Sequence, residues 1–165
     1  AILPKSNKAT FVFLVYLLAI VFASLDQITK AMATEHLIYG QPVFVTFFFD
    51  WTLLHNPGAA FSFLSDQGGW QRWFFLAIAL AASAWLVWLL ARPLREFEGL
   101  SYSLILGGAL GNAFDRAVRG QVIDFLDFHL RGWHWPAFNV ADSCICVAAF
   151  LFLISGFVAP KPAAK

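Results

Sequence analysis

Charge is what this chain lacks most. Only 13% of its 165 residues are Asp, Glu, Lys or Arg, about half the ~25% typical of a soluble globular domain. Acids and bases nearly cancel, to a formal net charge of +1, so there is no basic field to draw in nucleic acid and that class of partner drops out. With 60% hydrophobic residues and a mean hydropathy of +0.70, the chain reads as a membrane protein. Cysteine is scarce too. Cys144 and Cys146 lie two positions apart in one apolar run, and on a helix they point about 200° from each other, which disfavours a disulfide or a shared metal and leaves two small buried hydrophobes. Gly-x-Ser-x-Gly and His-Glu-x-x-His are missing, and His36, His55, His129 and His134 have no ligand-like spacing. Serine hydrolysis and zinc catalysis therefore lack their parts, and no metal or cofactor is expected.

What the chain does have is apolar runs. The first, Phe11 to Leu25, follows Lys5 and Lys8 as the core of a secretory signal would. No small-x-small cleavage site followed by a soluble domain is present, and three more runs come later, so an uncleaved span over about 11–30 is expected. Between 31 and 69, Pro42, the turn-like Asn56-Pro57-Gly58 and the series Val43-Phe44-Val45-Thr46-Phe47-Phe48-Phe49 favour short strands, over about 41–65. So many aromatics suit a small sheet lying on a membrane surface with rings at headgroup level. Trp73 to Ala91 carries no charge and is the cleanest span, about 72–91. A connector at 92–98 leads to a third span, 99–115, whose Gly107 and Gly111 would let another helix approach closely. A loop at 116–136, a fourth span at 137–158 and a Pro and Lys tail at 159–165 complete one membrane domain. The expected fold is α-helical and integral to the membrane, with four transmembrane helices and a small sheet.

Four spans put both termini on one side. Lys5, Lys8, Arg92, Arg95, Lys161 and Lys165 fall on that side against only Glu96 and Glu98, while the longer opposite segments mix Lys30, Arg72, Arg116, Arg119 and Arg131 with acids. The positive-inside rule then makes both termini cytoplasmic. Asp26, Asp115, Arg116, Asp124 and Asp142 consequently converge on the outer face, where a site is expected.

Ionisable groups at membrane depth are expensive and usually kept for function. Asp142 lies six positions into the run Ala137 to Val158, roughly 7 Å below the start of a helix beginning at Ala137. Two adjacent carboxylates share a proton, so that one is charged while the other donates, and such a pair can activate water and polarise a peptide carbonyl. Asp26, Asp115, Asp124, Asp127 and Asp142 are the candidates, and spacing alone does not choose two of them. Structural readings compete for several: a helix-end salt bridge for Asp26 with Lys30, a charge-neutralising pair for Asp115 with Arg116, with Asn112 satisfying them, and an exposed loop pair for Asp127 with Arg131. Asp142 has no base within a helical turn and Asp124 none within four positions, so these two are hardest to explain as structure. Trp133, Trp135 and Phe138 read as an interfacial belt.

In order along the chain, Asp26-Gln27-Ile28-Thr29-Lys30, Asn56-Pro57-Gly58-Ala59-Ala60-Phe61, Gly107-Gly108-Ala109-Leu110-Gly111-Asn112 with Asp115-Arg116, Val122-Ile123-Asp124-Phe125 and Phe138-Asn139-Val140-Ala141-Asp142 resemble the motif blocks of bacterial lipoprotein signal peptidases, the signal peptidase II family. Each block alone is weak; together, in order, they are specific. The resemblance implies a four-span inner-membrane aspartyl endopeptidase with a periplasmic sheet and a helical loop over the site. It implies a prolipoprotein substrate, cut on the amino side of a cysteine that already carries diacylglycerol, with membrane lipid around it. By motif, Asp124 and Asp142 become the catalytic pair, and Asp26, Asn56, Asn112, Arg116 and Asn139 match positions that shape the pocket. Lys30, Gly58 and Asp115, in the same blocks, are counted as site-supporting. A small transporter using Asp26 and Asp142 is the competing class. A thiol oxidoreductase is disfavoured by the depth and divergence of the cysteines.

Overall fold

The computed structural model describes residues 5–58, 68–92 and 98–158. Helix α1 (Lys5–His36) leads into strands β1 (Val43–Thr46) and β2 (Phe49–Asn56), followed by α2 (Gln71–Leu90), α3 (Glu98–Val118), β3 (Val122–Leu130), β4 (Trp133–His134) and α4 (Val140–Val158). The Ala59-Ala60-Phe61 end of the second motif block, the strand region to 65, most of the connector and the tail lie outside the described residues.

Long apolar runs without interior proline make the helices. Of these, 8–36 and 71–90 are long and apolar enough to cross a bilayer, and 140–155 is apolar but shorter. The less apolar α3 packs against the other three helices. Its glycines explain how. A Cβ on Gly107 would come within 2.8 Å of the Ala19 carbonyl oxygen, and one on Gly108 within 2.5 Å of the Ala141 carbonyl oxygen. One face of α3 thus lies backbone-close to α1 and the next to α4, and Gly107 and Gly111 serve packing inside the chain. The outward surfaces of the helices are apolar, with Phe13, Ile20, Trp85, Phe150 and Leu153 exposed, as a bilayer-facing surface requires.

The four strands form one antiparallel sheet in sequential order. Segment 116–136, expected as a loop, supplies β3 and β4, and among the described residues no helix lies over the site. Alternating Ile123 and Phe125 on β3 explain the strand: they pack with Leu53 of β2 and Ala33 of α1, which seats the sheet on the end of α1. The fourth helix starts at Val140, three residues later than the sequence suggests. Phe138 is engaged by the sheet instead: its carbonyl accepts from the Phe125 and Leu126 N–H groups, and its own N–H donates to Leu126. Asp142 is therefore in the first turn of α4.

Candidate active site

Strand β3 brings Asp124 to the head of α4. A bulge in β2 sets the register: Trp51 lies opposite Leu126, but Leu54 lies opposite Asp124, so β2 carries one extra residue between these pairs. Side chains alternate along a strand, so this extra residue decides which face Asn56 presents. It falls on the face of Asp124 and hydrogen-bonds its carboxylate.

Asn139 joins the two acids. As N-cap of α4, its Oδ1 accepts from the Asp142 N–H at 2.9 Å, while its Nδ2 donates to Asp124 Oδ1 at 2.8 Å. The carboxylate of Asp124, on a strand, and the backbone N–H of Asp142, in a first helical turn, are thus held by the same side chain. Asn112 on α3 holds the other side, donating from Nδ2 to Asp142 Oδ1 at 2.8 Å. Its amide cannot turn over without loss, because Oδ1 accepts from Lys30 Nζ at 3.0 Å and from Asn139 Nδ2 at 3.3 Å.

Beneath lies a buried ionic cluster. Lys30 is fully buried and bridges Asp26 at 2.7 Å and Asp115 at 2.8 Å, both also fully buried. Arg119 pairs with Asp115 from the rim, so two acids meet two bases and the group is neutral. Asp26 accepts from the Ala141 N–H at 2.9 Å, and Asp115 from the Ile123 N–H at 3.1 Å. One carboxylate thus fastens α4 and the other β3, each within one residue of a site aspartate. The Asp26–Lys30 pair is present as expected from its spacing, but as an interior bridge and not a helix-end contact. The expected Asp115–Arg116 pair does not form, since Asp115 is occupied by Lys30 and Arg119. Arg116 instead donates to the Asn112 carbonyl at 3.3 Å and the Gly58 carbonyl at 2.7 Å, with its guanidinium 5.5 Å from the Phe75 ring centroid. Asn56 turns back to accept the Gly58 N–H at 2.9 Å, so Gly58 is held from both sides.

Two further expectations fail. Asp127 is not an exposed partner of Arg131; it is buried and pairs with His134 at 2.9 Å. Arg131 sits in the turn between β3 and β4 at φ 52°, followed by Gly132 at φ 82°. Of the cysteines, Cys144 is buried but Cys146 is exposed, so they diverge without both being interior. The sequence reading also passed over two members of the ionic cluster. Gln27 donates to Asp115 Oδ1 at 3.0 Å and to the Gly111 carbonyl at 3.1 Å. Arg119 stands four residues after Asp115, the helical ion-pair spacing that would have revealed it.

Two cavities open at the pair. One, about 400 Å³, is the more polar, bordered by Asn56, Asp124 and Asp127 as well as by Leu54 and Pro136; the other, about 390 Å³, runs from Asp142 along Ile145 and Val147. Burial, reinforced by the neighbouring Asp142 carboxylate, raises Asp124 to about 7 against the hydrogen bonds from Asn56 and Asn139 and the charge of Lys30. Asp124 is therefore half protonated near neutrality, the state a proton donor needs. Among the described residues no cluster of His, Cys, Asp and Glu has the geometry to hold a metal ion.

A family model described as signal peptidase (SPase) II matches residues 18–158. The chain belongs to the signal peptidase II family. The lipoprotein signal peptidase of Ralstonia nicotianae is 52% identical over 138 residues, covering 83% of this chain and 80% of that protein. That of Cupriavidus pinatubonensis is 49% identical over 154 residues, covering 91% and 88%. A bacterial membrane enzyme solved by the in meso method at 2.3 Å superposes with a TM-score of 0.79 at 29% identity, covering 92% of this chain and 93% of that one. Membership extends over the five motif blocks and both site aspartates, since the matched segment runs from before Asp26 to beyond Asp142.

Proposed function

We propose that this signal peptidase II family member is an aspartic endopeptidase of the bacterial inner membrane. It removes the signal peptide from prolipoproteins, cutting on the amino side of a cysteine that already carries diacylglycerol. The observation that carries the reading is the joining of Asp124 and Asp142 through one asparagine, Asn139, at the meeting of a more polar and a more apolar cavity.

Four helices cross the bilayer, with both termini cytoplasmic and the sheet and acid pair on the periplasmic side. At ~1.5 Å per residue, the 21 residues of α3 and 19 of α4 reach about the ~30 Å of a hydrocarbon core. Acyl chains on the cysteine keep the scissile bond near the headgroup boundary, and the position of Asp142 in the first turn of α4 supports a site at that depth. Asp124 holds the shared proton and donates it to the carbonyl oxygen or the leaving amine. Asp142 is left ionised, favoured by the Asn112 amide and the positive end of α4, and takes the proton from the attacking water. Asn112 and Asn139 hold the carboxylates in place; Lys30, with Asp26 and Asp115, fixes Asn112 and the two backbones. Arg116, Asn56 and Gly58 form the adjoining wall.

Proton or cation transport has less support. Asp26 is fully buried and bound to Lys30 and the Ala141 N–H, so it is not free to load and unload.

The test is a gel-shift assay with purified enzyme and a diacylglyceryl-modified lipobox peptide. The unsubstituted chain should cleave it, whereas Asp124→Asn and Asp142→Asn should each lose at least about a thousandfold in rate, as enzymes do when a core catalytic group is removed. Processing by either variant at near the original rate would reject the assignment.

A further inference from the structure

We propose that His134, held by Asp127, reads the substrate residues that follow the lipidated cysteine, in the polar cavity beside Asp124. This rests on the proposed function and assigns to it a specificity subsite outside the five motif blocks.

The two cavities share Trp135 and Ala137 and differ in character. Along α4, beyond Asp142, the walls are Phe138, Ile145 and Val147 with the Cys146 side chain. Beyond Asp124 the apolar Leu54 and Pro136 share the wall with Asn56, Asp127 and His134, so this cavity offers polar partners that the other lacks. A prolipoprotein is similarly two-sided: its acyl chains and signal segment are apolar, and the chain that continues past the cysteine is bound for water. Burying polar main chain against apolar walls costs unmade hydrogen bonds, so a substrate lying across the pair sends its continuation into the first cavity.

That cavity has a group built to receive it. The turn at Arg131-Gly132 returns the chain so that β4 pairs with β3, with His134 opposite His129 and their ring centroids 5.0 Å apart. His134 Nδ1 lies 2.9 and 3.0 Å from the two oxygens of Asp127, so Nδ1 carries the proton. Nε2 then stands on the far side of the ring, and among the described residues it meets no hydrogen-bond partner. The ring is half exposed, while Asp127 is buried. Of the neighbouring polar groups, His55 is bonded to Gln121, and Asp50 lies 3.2 Å from His129 Nε2 without a hydrogen bond between them. Neutral, Nε2 accepts from a peptide N–H; protonated, it donates to a carbonyl or a serine, asparagine or aspartate side chain. The buried carboxylate holds the ring so that either bond forms without ordering a loose side chain.

The test uses the full chain and two pairs of diacylglyceryl peptides. One pair differs only in the two residues after the cysteine, Ser-Asn against Leu-Leu; the other differs only in the two residues before it. The unsubstituted enzyme should favour Ser-Asn by about tenfold in kcat/KM, the size of one good hydrogen bond. In His134→Ala and Asp127→Asn this preference should shrink to within about twofold, through the KM of the Ser-Asn peptide, with discrimination before the cysteine kept. His134→Gln, which retains a hydrogen-bonding group, should keep part of it. An unsubstituted enzyme indifferent to the residues after the cysteine overturns the subsite. So does a His134→Ala enzyme that keeps the full preference, or that loses rate equally on both peptides, the mark of a purely structural pair. If any one of these occurs while Asp124→Asn is inactive, only the subsite falls; if the unsubstituted chain cleaves no lipidated peptide, the proposed function falls with it.

Discussion

Asp124 ties chemistry to stability in one titration. Its folded value of about 7 lies above the reference value of 3.8, so between these two the folded state binds more protons than the unfolded one. The sign follows: Asp124 makes folding less favourable as pH rises from about 4 to about 7, by a few kcal/mol in all. Asp124→Asn should therefore unfold at a higher temperature than the unsubstituted protein at pH 8, with the gap closing near pH 4. Equal pH dependence of the two melting curves would contradict it. The residue scale is also where sequence alone divided most sharply. Asp124 and Asp142 stood out because no base lay near them in the chain, and the fold gives them amide partners in Asn56, Asn112 and Asn139. Asp115 and Asp127 were misread because the nearest base in sequence was not the nearest in space. Lys30 reaches Asp115 from another helix, and His134 reaches Asp127 only across a turn that takes up Arg131.

At the scale of elements, α3 is the member whose side chains and lack of them both matter. Its glycines admit α1 and α4 to backbone distance, and four residues beyond Gly108 it presents Asn112 to Asp142. Gly108→Val would drive a side chain into the Ala141 carbonyl, one residue from Asp142. Backbone there cannot yield cheaply, so a loss of about 1–3 kcal/mol of stability is expected from overpacking. Activity should fall further than stability, because α4 moves and carries Asp142 with it. Thermal unfolding and cleavage assays on the same sample separate the two effects, and an active Gly108→Val enzyme would disprove the close approach. Helices were legible because long apolar runs have few alternatives. The start of α4 was not, because the backbone of Phe138 is committed to β3, a tertiary contact that local pattern does not carry.

For the whole molecule, the apolar exterior and neutral ionic interior make one design. Charge is scarce, and four of the charged side chains, Asp26, Lys30, Asp115 and Arg119, cancel in one cluster, so the helices can face lipid while their ends are fastened to the sheet. The four-span reading predicts a definite sidedness. Reporters fused to the two termini should both read the cytoplasm, and a tag placed in the β1–β2 turn at Phe47, an exposed ring, should be reached only from the periplasm. Termini reporting opposite compartments would break the arrangement.

Asn139 closes the first turn of α4 with the same amide that grips Asp124. During synthesis, the ribosome has already delivered Asp124 on β3 when α4 emerges, the last described element to do so. On the proposed assignment of Asp124 and Asp142 as the catalytic pair, the nascent polypeptide has half a reaction centre until α4 docks. On that assignment, docking of α4 and the onset of activity are a single event.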